Sequence, residues 1–156
     1  MNRSITPFLW FDGNAEEAVN FYCSVFPDSE ITRVTYKPDE PGAGSVLTIG
    51  FKLRGEEFIA MNGGPQFQFS EALSLMVACE TQEEIDYYWD KLVEDGTPMA
   101  CGWLKDRYGL AWQVTPAEFL DMIDSEDMEH NSRIMAAMNT MIKFDLEALR
   151  AANREE

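Results

Sequence analysis

Gln113, Asn62 and Cys101, set among Trp10 and Trp103, are the residues of this chain best suited to meet a small molecule. All five fall on predicted strands, at positions that alternation turns toward an interior. Lys105, Asp106 and Tyr108 follow at a strand end and hairpin. Aromatic walls with a few polar groups describe a small-molecule pocket, where rings bury the ligand and polar groups orient it. Gln113 is the foremost candidate, because a buried amide needs hydrogen-bond partners, although neighbouring backbone could supply them. The others also have structural readings. Trp10 and Trp103 suit a core or a dimer seam, Asn62 suits a strand-end turn before Gly63-Gly64, and Lys105 with Asp106 suits a solvated hairpin pair.

Covalent and acid–base chemistry have fewer carriers. A reactive thiol at Cys101 needs a nearby cation or helix N-terminus, and no histidine base is at hand. Cys23 and Cys79 read as packing residues. The single histidine, His130, sits beside Asp127 and Glu129. It reads as an exposed helix residue, with a general base over the pocket as the other possibility.

The elements that must position these residues come as a repeat. Phe8-Leu9-Trp10-Phe11 leads through Glu16-Glu17 to Phe21-Tyr22, and Leu75-Met76-Val77-Ala78 leads through Glu83-Glu84 to Tyr88-Trp89. The offset is 67 residues throughout, as from Glu16 to Glu83. The first copy predicts a strand over 5–11, a helix over 15–25 capped by Asn14, and strands over 30–36, 45–53 and 58–62. The second predicts a strand over 71–79, a helix over 82–94 capped by Thr81, and strands over 97–100, 101–105 and 110–115. Three further helices follow, over 116–123, 126–142 and 145–152. In the second of these, Met128, Met135, Met138 and Met141 lie with Ile134 and Ile142 on one broad face. That face suits a lid, a dimer contact or plain packing. The expected fold is α+β: two β-α-β-β-β modules, about 1–66 and 67–116, in one domain over 1–116, with a helical extension over 117–156.

The chain has 156 residues and a net charge of −16. Such a field repels nucleic acid and anionic membranes, so neither is an expected partner. It suits a cationic partner or, more simply, solubility. Three cysteines without a CxxC spacing read as the reduced thiols of a cytoplasmic protein. Met1-Asn2-Arg3-Ser4 runs straight into the first strand, which reads as a chain without a signal peptide. No apolar run approaches a membrane span.

Two β-α-β-β-β modules resemble the vicinal oxygen chelate superfamily of glyoxalase I, extradiol dioxygenases and bleomycin-resistance proteins. Ile5-Thr6-Pro7-Phe8-Leu9-Trp10-Phe11, Met61-Asn62-Gly63-Gly64-Pro65, and Cys101-Gly102-Trp103-Leu104-Lys105-Asp106 through Tyr108-Gly109 and Trp112-Gln113 are similar to its PhnB-like branch, often labelled demethylubiquinone methyltransferase-like. The resemblance implies two half-barrels around a pocket, and a homodimer. In the superfamily's enzymes it implies a divalent metal held from the first and last strand of each module.

Carried onto this chain, those ligand positions fall at Thr6, at Ala60 with Asn62, at Ser70 or Glu71, and at Gln113. A divalent site usually takes three or four donors with some imidazole or carboxylate among them, so no metal or other cofactor is expected. A set of Glu71, Asn62 and Gln113 is the alternative. The sole candidate for an S-adenosylmethionine loop, Gly42-Ala43-Gly44, lies between two predicted strands with no helix after it, which is the wrong context. The expected function is metal-free binding of a small polar or aromatic molecule between the modules. The alternatives are a metal-dependent lyase, isomerase or dioxygenase of glyoxalase type, and an antibiotic-sequestering protein of bleomycin-resistance type.

Overall fold

A computed structural model of the chain describes residues 5–38 and 44–154. It divides into two compact units, Met1–Phe69 and Ser70–Glu156.

In the first unit, β1 (Phe8–Phe11), α1 (Ala15–Val25), β2 (Glu30–Tyr36), β3 (Val46–Leu53) and β4 (Glu56–Asn62) form a four-stranded sheet in the order β1-β4-β3-β2. β1 runs parallel to β4 and the other pairs are antiparallel. β1 is shorter than its apolar run predicts. Pro7 has no N–H for a ladder, although its carbonyl still accepts from the Ile59 N–H at 3.0 Å. α1 keeps its predicted bounds because Ala18, Val19, Tyr22 and Val25 recur on one face, all buried against the sheet. The core beneath it holds Leu9, Phe11, Ile49, Phe51 and Ala60. β2 is a sheet edge, exposed along nearly its whole length. The predicted loop over 37–44 lies largely outside the described residues, Gly42 and Ala43 included.

The second unit repeats the plan. β5 (Ser74–Cys79), α2 (Gln82–Val93), β6 (Thr97–Pro98), β7 (Trp103–Lys105) and β8 (Ala111–Pro116) form a sheet in the order β5-β8-β7-β6, again with one parallel pair, β5 with β8. Thr81 caps α2 as expected: its hydroxyl accepts from the Glu84 N–H at 3.2 Å, and Glu84 Oε2 accepts from the Glu80 N–H at 2.8 Å. All four strands start or stop away from their predicted bounds, β6 ending at Pro98. Residues 71–73 form a turn, closed from the Leu73 N–H to Ser70 O. Cys101 and Gly102 both take positive φ, 59° and 75°, so they turn the chain between β6 and β7. Pro116 ends β8, opposite Cys79, and does not open a helix.

The C-terminal helices are α3 (Phe119–Ile123), α4 (Met128–Asn139) and α5 (Leu146–Arg154). They belong to the same compact unit as the second module. Asp127 caps α4, accepting from the Glu129 and His130 N–H groups at 2.9 and 3.2 Å. Ile134, Phe144, Leu146 and Leu149 are buried. Gln82 clasps the segment before α5, its Nε2 donating to Phe144 O at 3.1 Å and its Oε1 accepting from the Leu146 N–H at 2.8 Å. The methionine face therefore divides. Ile134 is in the core and Met138 points into a cavity, while Met128 and Met135 stay exposed and Met141 lies beyond the helix. No helix among the described residues is long and apolar enough to cross a membrane.

Candidate functional site

The sheet of the second unit buries one face under α2, through Val77, Leu104, Trp112 and Val114. Period-two alternation sends the intervening residues to the other face. There the register sets Met76, Gln113 and Trp103 side by side across β5, β8 and β7. With Thr115 they floor a cavity of about 280 Å³. Phe119 and Leu120 of α3, Met138 of α4, Phe144 and Cys101 complete its wall. Three residues expected to meet a ligand, Cys101, Trp103 and Gln113, are thus brought together. All the residues that line this cavity belong to the second unit.

Each polar group in the wall has a defined state. Gln113 Nε2 donates to Ser74 Oγ at 2.8 Å. The Thr115 residue is only 6% exposed, and no hydrogen bond joins its hydroxyl to any described residue. The Cys101 thiol donates toward Met138 O at 3.7 Å and Asn139 Oδ1 at 3.8 Å. Met138 O is among the last carbonyls of α4, so the thiol faces acceptors and not a helix N-terminus. This thiol is placed to donate a hydrogen bond and poorly placed to attack. No lining residue carries a formal charge.

The turn at Cys101-Gly102 also anchors the roof. The Cys101 and Gly102 N–H groups donate to Met141 O and Ile142 O, each at 2.8 Å. A Cβ on Gly102 would stand 2.6 Å from both the Phe144 ring and Val114 O, so glycine is required by space as well as by φ.

Other candidates are held in structural roles. Asp106 was read as half of a solvated pair, but it is 3% exposed. Its Oδ1 accepts from the Tyr108 and Leu110 N–H groups at 2.9 and 3.0 Å, and its Oδ2 from Trp112 Nε1 at 2.8 Å. It folds the hairpin around its own carboxylate. Lys105 pairs with Glu71 at 2.8 Å. The hydrogen bond from Lys105, with its charge, holds the Glu71 carboxyl below the usual range. Neither Asp106, Lys105 nor Tyr108 lines the cavity.

Trp10 and Asn62 belong to the first unit. Trp10 Nε1 donates to Gly64 O at 2.8 Å, and its ring meets Phe67 edge-on at 5.0 Å. Asn62 is in register with Phe11, not Trp10, and so lies on the α1 face. Its Oδ1 accepts from the Ala15 N–H at 2.9 Å and its Nδ2 donates to Val46 O at 3.1 Å. Asn14, the expected cap of α1, makes no side-chain cap bond. Asn62 serves that helix end from the end of the neighbouring strand β4, beside Phe11. His130 likewise braces helices: its Nε2 lies 3.2 Å from Met122 O, which can only accept, and its Nδ1 lies 3.4 Å from Arg133 Nη2.

Among the described residues no three His, Cys, Asp or Glu side chains converge on one point. Of the alternative set, Asn62 is engaged at both ends of its amide and Glu71 by Lys105, while Gln113 keeps its amide oxygen as a single neutral donor. These donors do not fit a divalent ion. A wider cleft of about 590 Å³ runs along the starts of α2 and α5. Its cations, Lys143 and Arg150, are paired with Asp86 at 2.8 Å and with Glu118 at 2.6 Å.

The family described as 3-demethylubiquinone-9 3-methyltransferase matches the chain over residues 3–115. The chain belongs to this family. A PhnB protein from Bacillus cereus is 40% identical, covering 74% of this chain and 100% of its own, with a TM-score of 0.67. Protein PA1353 from Pseudomonas aeruginosa is 18% identical, covering 70% and 93%, with a TM-score of 0.59. The fosfomycin resistance protein FosX from Mesorhizobium loti is 15% identical, covering 78% and 98%, with a TM-score of 0.53. The fold is that of the glyoxalase-like vicinal oxygen chelate superfamily, in its PhnB-like branch. No curated protein matches the chain.

Thr115, Met76 and Phe144 were missed from sequence. Thr115 was within reach, two residues beyond Gln113 on one strand and so on the same face. Phe144 carried no local signal, because its role depends on the C-terminal segment returning to Gly102.

Proposed function

We propose that this PhnB-like chain binds a small uncharged molecule, without a metal, in the cavity of its second unit. The observation that carries the reading is the row of Met76, Gln113 and Trp103 beneath Phe119, Met138 and Phe144, with no charged group in the wall. Aromatic rings and thioethers supply adaptable apolar contact, and an amide and a hydroxyl orient the ligand. An ionised ligand would be desolvated there without a counter-charge. That argues against a phosphonate and against a cationic antibiotic of the kind the acidic surface alone suggests. The chain lacks a sequence context for the methyl transfer in the family's name. Gly44 precedes β3, and β3 leads into β4 with no helix between them, the wrong context for the Gly-rich strand-to-helix turn of such cofactor sites.

The test is a titration of methyl-labelled protein with small neutral aromatic compounds, reading the Met76 and Met138 methyl signals with and without chelator. Both signals should move, and chelator should not matter. Binding that appears only after addition of zinc, nickel, manganese or iron would overturn the metal-free reading.

A further inference from the structure

We infer that the cavity selects an uncharged ring bearing a hydrogen-bond donor, of the phenol class, whose hydroxyl donates to the Gln113 amide oxygen and accepts from the Thr115 hydroxyl. The inference rests on the binding reading above and narrows it. The polar inventory of the wall is lopsided. The Cys101 thiol is directed to the end of α4. Gln113 uses its Nε2 on Ser74, which leaves its amide oxygen, an acceptor, without a partner among the described residues. Thr115, on the cavity floor, carries a hydroxyl that likewise has none. A site with an acceptor and a hydroxyl to offer favours a ligand that brings a donor, since a buried acceptor left unpaired is penalised. Trp103, Phe119 and Phe144 favour a ring as its body, because aromatic pairs gain beyond the area they bury. The absence of charge in the wall excludes a carboxylate in the donor's place.

Four probes of similar size separate these terms: p-cresol donates, 4-methylanisole only accepts, toluene does neither, and 4-methylbenzoate is charged. Each would be titrated into intact protein while following the Met76 and Met138 methyls. The expected result is p-cresol binding about tenfold tighter than toluene and 4-methylanisole, roughly one net hydrogen bond, with 4-methylbenzoate weakest. In Thr115→Val, p-cresol should weaken toward the affinity of toluene, and toluene should be unchanged. Equal binding of p-cresol, 4-methylanisole and toluene would overturn the donor preference while leaving the cavity reading intact, as would preferred binding of 4-methylbenzoate. If no probe moves either methyl, the cavity reading itself fails. The probe series on unaltered protein stands whether or not the variant folds.

Discussion

Asp106 accepts the indole N–H of Trp112 at 2.8 Å, inside a hairpin that its other oxygen closes through two backbone N–H groups. The carboxylate is therefore an internal template for the turn between β7 and β8. Asp106→Asn keeps an acceptor for the two backbone groups but turns an amide N–H toward the indole N–H. Two donors then face each other in a buried site. A loss of about 2–3 kcal/mol is expected, read by urea unfolding. A loss within error of zero would mean that the indole bond contributes nothing.

The capping of α1 by Asn62 gives an ordered series. Asn62→Ala removes both amide bonds and should cost about 1–2 kcal/mol. Asn62→Asp keeps an acceptor for the Ala15 N–H and places negative charge at a helix N-terminus, but loses the donor to Val46 O. It should fall between Ala and the parent. If Asp proves worse than Ala, the bond to Val46 is the important one and the capping argument is wrong.

Two glycines with similar φ should respond differently. Gly109 has φ 85° and open space where a Cβ would stand, so Gly109→Ala should cost only the left-handed backbone penalty, about 1–2 kcal/mol. Gly102→Ala meets the same penalty and also collides with Phe144 and Val114 O. It should cost at least about 2 kcal/mol more and shift the Met138 methyl signal, because the roof is anchored at that turn. Equal effects in thermal unfolding would show that Phe144 simply moves aside.

Acid should loosen the second unit at identifiable points. The Asp127 carboxyl is held below its ordinary pKa by the His130 and Glu129 N–H groups, Asp86 by Lys143 and Gln82, and Glu71 by Lys105. A depressed folded pKa contributes stability above the unfolded value and loses it as pH falls through the folded one. Stability should therefore decline on acidification through and below the normal carboxylate range. Carboxyl-carbon NMR should show Asp127 titrating below a typical aspartate. A normal or raised midpoint there would contradict the cap.

Much of the fold was legible because two apolar periods sit side by side in each module. Ala18, Tyr22 and Val25 define α1, and Ile85, Tyr88 and Leu92 define α2. Parity was harder. Asn62 follows Met61, the register partner of Trp10, and one residue of phase moves a side chain to the opposite face. Asp106 could have been read as structural, since Asp followed by Tyr108-Gly109 has the form of a turn closed by its own carboxylate. The roof was not legible. Phe144, Met138 and Cys101 meet through hydrogen bonds between segments about 40 residues apart, and no local pattern announces such a meeting.

The clasp of residues 141–146 on the Cys101-Gly102 turn and on Gln82 also imposes an order in time. During synthesis the first unit is complete as sequence once Phe69 has left the ribosome, whereas the second lacks part of its core until Phe144 and Leu149 emerge. A nascent chain stalled after residue 116 should resist protease in its first half and be cut readily in its second; equal resistance would refute this. Phe119, Met138 and Phe144 are made after the strands they cover, so a chain ended at residue 116 carries Trp103 and Gln113 but never the roof over them.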